Sequence, residues 1–255
     1  MPAQRAELAS IQPLVDLAAE DQAVAPLACL LASVLRAAVD AAWEAGVPRL
    51  DAGRPARGVP LLHQVTLTVD PRRVRAVLED LASVLATSGL DAGPAWRALR
   101  SPAFDPPAMI RAAITHTQPP PEDAITRSET DRPALAVLCQ LAALPLLQAC
   151  GRVAASALTA ATWESGYCPI CAAWPTLAER RGMDRECWLR CGRCAAEWRF
   201  DDRRCLFCGA ERRRLDYLAP EAERESRRAM ICQQCHGYLK TFATFGRLGR
   251  SPTSC

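Results

Sequence analysis

Four Cys-x-x-Cys pairs in the last third of the chain restrict its fold more than any other feature. They are Cys168/Cys171 ("CPIC"), Cys191/Cys194 ("CGRC"), Cys205/Cys208 ("CLFC") and Cys232/Cys235 ("CQQC"). Such a turn aims two sulfurs at one point, so each pair is half of a four-thiolate metal site. The pairs are separated by 19, 10 and 23 residues, and eight cysteines can form two sites sequentially, interleaved or nested. Sequential pairing leaves gaps close to the roughly 15–20 residues of zinc ribbons and closes each site over a local loop. Nested pairing closes the inner site over only ten residues. The reading is therefore one site of Cys168, Cys171, Cys191 and Cys194, and another of Cys205, Cys208, Cys232 and Cys235. Each half has about 40 residues and too few apolar side chains to fold unaided, so bound ions hold it together. Tetrahedral sulfur sites suit Zn²⁺ and rubredoxin-type iron alike.

Charge divides the chain in the same place. From Cys168 onward there are 17 Lys and Arg against 11 Asp and Glu, whereas residues 1–167 hold 14 basic and 17 acidic residues. A basic C-terminal third would ordinarily raise the question of nucleic acid. Two divalent ions in four-thiolate sites carry about −4 between them, which offsets much of that excess. The runs "ERRR" (211–214) and "ERESRR" (223–228) interleave acid with base and lack stacked aromatics, the pattern of solvated faces. A double zinc ribbon that binds nucleic acid is thus the second reading. A thiol redox enzyme is a third, but no βαβ pattern surrounds any pair. No catalytic constellation is read, and the chain is expected not to be an enzyme. The start "MPAQRAELASIQPLVDLAAEDQ" has no basic stretch, apolar core and small-residue cleavage site, so no secretory signal is expected. Thirteen cysteines without an export signal point to metal ligation in a reducing compartment, with the cytoplasm as default.

Residues 1–163 read as a helical domain. "PLACLLASVLRAAVDAAWEAG" (Pro26 to Gly46) is closed by a glycine. "DPRRVRAVLEDLASVLATSG" (Asp70 to Gly89) opens with Asp70 as N-cap and Pro71 at the first helical position. In it Val74, Val77, Leu78, Leu81, Val84 and Leu85 share a face. "SPAFDPP" and "TQPPPED" mark loops near 101–107 and 117–123. The uncharged run 133–151 is interrupted by Gln140, Pro145 and Gln148 and rich in Ala, which predicts a buried central helix and no membrane insertion. Cys29, Cys139 and Cys150 lack pair spacing and read as small core residues. His63 and His116 are isolated, with structural or surface roles. Cys187 is an extra thiol near the first site, Cys255 stands apart, and His236 is not needed as a ligand where four cysteines are available. Trp188 and Trp198 flank the second pair. They either fill the small ribbon core or, with Arg190 and Arg199 nearby, contact a partner.

Several runs are more specific than a double ribbon. Gly166-Tyr167-Cys168-Pro169-Ile170-Cys171 with Pro175, Cys191-Gly-Arg-Cys194 with Glu197-Trp198, Arg204-Cys205-Leu-Phe-Cys208-Gly209, and Cys232-Gln-Gln-Cys235 with Tyr238-Leu239-Lys240 together resemble the formate dehydrogenase accessory protein family. The long uncharged helix leading into a Trp and the first pair is similar too. The likeness is specific over 163–246 and architectural over the N-terminal helices. Two departures stand out: Ala172 replaces the usual Gly after the first pair, suggesting an altered first knuckle, and Arg190 stands where a His is frequent. The resemblance implies an α+β chain, an all-α N-terminal domain (1–163) followed by two small rubredoxin-like or zinc-ribbon modules (164–202 and 203–246) and a tail (247–255). It implies iron as the metal. It also implies a cytoplasmic accessory factor that binds the catalytic subunit of formate dehydrogenase before export and does not remain in the finished enzyme.

Overall fold

The longest helix starts where side-chain capping satisfies its first amides. In the computed structural model, which describes residues 11–102, 104–115, 132–158, 163–220 and 226–244, Asp70 accepts from the amides of Arg72 and Arg73 and opens a helix over Pro71–Thr87. Val74, Val77, Leu78 and Leu81 on its inner face are buried, each worth about 1.5–3 kcal/mol relative to exposure. Gly89, at φ 73°, follows the helix end. His116, Cys255, the 117–123 segment, the tail 247–255 and residues 223–225 of the second charged run lie outside the described residues.

Contacts divide the chain into two units: Met1–Pro48 with Thr66–Ala149, and Arg49–Val65 with Cys150–Cys255. The sequence reading draws its boundary at 163 and gives no special place to 49–65. The helical unit contains α1 (Gln12–Glu20), α2 (Ala25–Ala38), α3 (Pro71–Thr87), α4 (Gly93–Arg100), α5 (Pro106–Thr115), α6 (Arg132–Ala142) and the start of α7 (Leu144–Ala154). Ile11 and Leu14 pack on Ala28 and Ala32, whose small side chains let α1 approach α2.

Two expected helices prove to be broken. The segment 26–46 is α2 followed by a separate 3₁₀ helix, Ala41–Gly46. Asp40 is the reason: its carboxylate accepts from the Ala42 amide at 2.9 Å and restarts the chain as an N-cap. The indole of Trp43 then donates back to the Ala37 carbonyl at 2.9 Å. The uncharged run 133–151 divides at Ala143 into α6 and α7, where Pro145 lacks the amide that would bond back to residue 141. Ala134–Ala154 is long and apolar enough to cross a membrane by length and composition, and 56% of its apolar window is buried inside the protein. Leu135, Leu138, Ala142, Leu146 and Leu147 are among the buried side chains.

The second unit is built on one six-stranded sheet in the order β3-β2-β1-β6-β5-β4. Its strands are β1 (Leu177–Arg181), β2 (Glu186–Arg190), β3 (Glu197–Arg199), β4 (Leu215–Leu218), β5 (Arg227–Cys232) and β6 (Tyr238–Thr244). Each ribbon contributes three antiparallel strands. The cysteine spacing gives no hint that the two ribbons join: β1 pairs in parallel with β6, from Leu177↔Lys240 to Arg181↔Thr244. Edge pairing of this kind removes one exposed strand edge from each ribbon. The architecture is α+β, helices followed by two ribbon-like modules fused through a mixed sheet.

Candidate metal centres

Each Cys-x-x-Cys pair sits in the same backbone turn. In the first, the amide of Ala172 donates to the Cys168 carbonyl at 3.0 Å and the amide of Cys168 to the Ala173 carbonyl at 2.8 Å. The same two bonds recur one pair at a time, closing through Ala195 and Ala196, Gly209 and Ala210, and His236 and Gly237. The residue after the second cysteine must turn with positive φ: Ala172 at 61°, Ala195 at 58°, Gly209 at 74° and His236 at 58°. For the non-glycine residues this left-handed conformation costs about 1–2 kcal/mol each. The turns keep it because it points backbone amides at sulfur. Ile170, Arg193 and Phe207 donate to Cys168, Cys191 and Cys205 Sγ, each at 3.4 Å. The first knuckle, where Ala172 replaces glycine, therefore has the same geometry as the others, contrary to the alteration expected from sequence.

The turns bring the eight sulfurs together as two groups of four, sequentially: Cys168, Cys171, Cys191 and Cys194, then Cys205, Cys208, Cys232 and Cys235. Within each group all sulfurs lie within 4.8 Å of one another. Cys168 and Cys194 Sγ are 3.5 Å apart, as are Cys171 and Cys191. In the second group Cys205 and Cys235 are separated by 3.8 Å, and Cys208 and Cys232 by 3.7 Å. A tetrahedron of sulfurs at about 2.3 Å from a central ion has edges of about 3.8 Å. The donor set and its spacing thus fit one four-coordinate ion per cluster.

The electrostatics favour a cation. Hydrogen bonds from Cys168, Cys171 and Cys194 hold the Cys191 thiol well below its ordinary value, whereas burial pushes Cys168 up. In the second cluster burial acts to raise Cys232, but amide hydrogen bonds from Cys235 and Gln234 help bring it down to about 7. Burial pushes Cys205 up to about 12. Each cluster thus has one thiol disposed to ionise beside others that resist it, a conflict that a divalent ion resolves by ionising all four.

The two clusters differ in cover. In the first, Cys168, Cys191 and Cys194 are buried and Cys171 is half-buried; in the second, Cys208 and Cys235 are exposed. Part of the difference comes from residues 60–62. Leu61 and Leu62 donate to the carbonyls of Pro169 and Ile170 at 2.8 and 2.9 Å, closing over the first knuckle. Gly151 in α7 also lies against this cluster, where a Cβ would stand 1.9 Å from the Cys194 carbonyl oxygen. Gly166 plays the same part beside the third knuckle, with a Cβ position 2.1 Å from the Leu206 carbonyl. Nothing periodic in residues 49–65 announces this role; its Gly and Pro content reads as an ordinary loop.

The remaining predicted residues fall outside the clusters. Cys187, on β2 opposite Arg180, is buried, and burial pushes its thiol up to about 12. Cys139 and Cys150 are raised to about 12 by the same cause. Cys29 is half-buried and His63 exposed. His236 occupies the left-handed position of its turn and is not part of the sulfur group. Trp198 is only 3% exposed, its indole donating to the Ser165 carbonyl at 3.1 Å. Trp188 is half-buried, with the Arg181 guanidinium 4.8 Å from its ring centroid.

Sequence reasoning missed a closed ring of charges beside the first cluster. Glu179 receives Arg181 at 2.7 Å and Arg190 at 3.1 Å, and Glu197 receives the same two arginines at 2.7 and 3.4 Å. Glu179 is 0% exposed. These residues lie on β1, β2 and β3 and tie together the strands that carry the first two knuckles. Arg190, which departs from the frequent His, is thus a member of this ring. The alternation of Glu179 with Arg181 on one strand face was the available signal.

No family model matches the chain. It is 32% identical over 84 residues to the FdhE homolog of Aquifex aeolicus, a match covering 31% of this chain and 29% of that protein. It is 37% identical over 83 residues to the FdhE homolog of Pseudomonas aeruginosa, covering 29% and 26%, respectively. The FdhE homolog of Stutzerimonas stutzeri gives 32% over 80 residues, covering 30% and 26%. The matched stretches thus span less than a third of these relatives' length. In fold the likeness is wider: the crystal structure of the FdhE protein from P. aeruginosa aligns with a TM-score of 0.57 at 21% identity, covering 94% of this chain and 83% of that one. The chain is thus similar to FdhE homologs over part of its sequence and to the FdhE protein of P. aeruginosa in fold.

Proposed function

We propose that this protein is a non-enzymatic accessory factor for formate dehydrogenase, acting in the cytoplasm on the catalytic subunit before export. The observation that carries the reading is the pair of four-sulfur clusters on an FdhE-like fold. Cys168, Cys171, Cys191 and Cys194 would hold one ion and Cys205, Cys208, Cys232 and Cys235 the other. The resemblance favours iron, and four thiolates at tetrahedral spacing accept zinc equally well. A ferric four-thiolate centre absorbs visible light and a zinc centre does not, so metal content with a visible spectrum separates them. Of the two tryptophans considered as partner contacts, Trp188 retains accessible surface, and the half-exposed Trp174 (50%) adds an aromatic near the third knuckle through its contact with Phe207. Arg213 of the first charged segment pairs with Glu211 at 3.0 Å, and Arg199 on β3 pairs with Glu186 at 2.8 Å, which argues against a nucleic-acid surface there.

The test is capture. The metal-loaded protein should retain the catalytic subunit of its host's formate dehydrogenase in a pull-down, and cells lacking it should lose formate oxidation. Restoration by the wild-type chain, with weakened capture by Trp188→Ala at full metal content, is the expected result. Unchanged formate oxidation in the deletion strain would reject the proposal.

A further inference from the structure

The sheet of the second unit carries a feature unrelated to its cysteines. The register puts Arg180 opposite Ala243, Thr241 opposite Arg228, and Tyr217 opposite Met230. By the two-residue alternation of strands, Arg180, Thr241, Ala243, Arg228 and Tyr217 all lie on one face. There a cavity of about 320 Å³ opens, lined by these residues together with Arg185, Arg212 and Ser226. Four guanidinium groups therefore border one small cavity, and among the described residues no carboxylate lines it. Asp202 pairs with Arg180 without lining the cavity.

Arg180 is offset by its pairing with Asp202, and the concentration of guanidinium groups around one cavity would attract an anion. A second observation points the same way. The hydroxyl of Tyr217 is buried and has no hydrogen-bond partner among the described residues, although buried hydroxyls are nearly always paired. A phenol can donate, and so can every guanidinium here, so the missing partner is an acceptor. Arginine forks match the oxygens of phosphate in bidentate fashion. The volume is at the small end of ligand pockets, enough for a phosphate group with a modest substituent.

From this convergence we infer that the cavity bordered by Arg180, Arg185, Arg212, Arg228 and Tyr217 binds a phosphate-class oxyanion: phosphate, pyrophosphate or the phosphate ester of a small molecule. Arg185 and Arg212 extend from exposed positions and close on the anion from the rim. Tyr217 donates to it from within the sheet. The site uses none of the eight clustered cysteines, so anion binding does not depend on which metal they hold.

Titration calorimetry of the metal-loaded full chain with pyrophosphate, phosphate and sulfate at constant ionic strength tests this. Saturable one-site binding is expected, tightest for pyrophosphate. Arg185→Gln with Arg212→Gln should weaken it at least tenfold, and Tyr217→Phe severalfold, with both metal equivalents retained. A phosphate ester that outcompetes inorganic phosphate would identify the substituted ligand as the occupant, and the reverse order would identify the free anion. Absence of saturable binding at millimolar pyrophosphate, equal affinity in the double variant, or retention of oligonucleotides alone would each overturn the inference.

Discussion

Glu179→Gln is the substitution whose consequence can be worked most directly from the structure. The wild-type ring balances two carboxylates against two guanidinium groups, and Glu179 within it is 0% exposed. Glutamine preserves the shape but removes one negative charge and turns an amide donor toward Arg181 or Arg190, which are donors themselves. One charge-assisted hydrogen bond, at 2.7 Å, and one ion-pair contact, at 3.1 Å, are degraded together. Such a bond is worth about 1.5–3 kcal/mol, and breaking one side of a buried ion pair typically costs about 3–5 kcal/mol. Because both arginines still reach Glu197 and are slightly exposed, the lower part of that range applies, about 3 kcal/mol. Since the ring joins β1, β2 and β3, the loss should fall on the first ribbon. It should appear as a roughly hundredfold weaker hold on the ion of the first cluster, measured by chelator competition, with the second cluster much less affected. Urea unfolding of metal-saturated protein followed by tryptophan emission provides the second measure. A shift below about 1 kcal/mol, the range of surface ion pairs, would show that solvent screens the ring and refute the reasoning.

Further outcomes follow from the same geometry. Exposed Cys208 and Cys235 should let a chelator strip the second ion at least tenfold faster than the first; a single kinetic phase for both would contradict the difference in cover. Cys168→Ser should lose about one metal equivalent and keep the second, because each cluster closes over its own loop; loss of both would mean the β1–β6 seam makes loading all-or-none. Ala172→Gly, at φ 61°, should stabilise the first knuckle by about 0.5–1 kcal/mol, since relief of the left-handed penalty exceeds the added chain entropy; a lower thermal midpoint would refute this. Cys139, Cys150 and Cys187, each held near 12 by burial, should resist iodoacetamide at pH 8 in the loaded protein, as mapped by mass spectrometry.

Local chemistry was legible in the sequence wherever neighbours in the chain are neighbours in space. Two residues between cysteines set the knuckle, gaps of 19 and 23 residues set the sequential grouping, and Asp70-Pro71 set the start of α3. What required the tertiary structure was everything decided by partners far along the chain. Asp40 restarting the helix after α2 was within reach of capping rules, but its competition with an unbroken apolar pattern is settled by how Trp43 packs. The roof of residues 60–62 over the first knuckle joins segments about a hundred positions apart through backbone bonds, which carry no side-chain signature. The ring of Glu179, Arg181, Arg190 and Glu197 needs three strands in register before four ordinary surface residue types become buried. The seam between β1 and β6 is likewise a pairing of backbone edges, open to most side chains. Thiol spacing therefore determines the two clusters, because a metal site needs only the reach of a short loop. Their unequal exposure and their union in one sheet are decided by long-range backbone contacts that the spacing of residues does not encode.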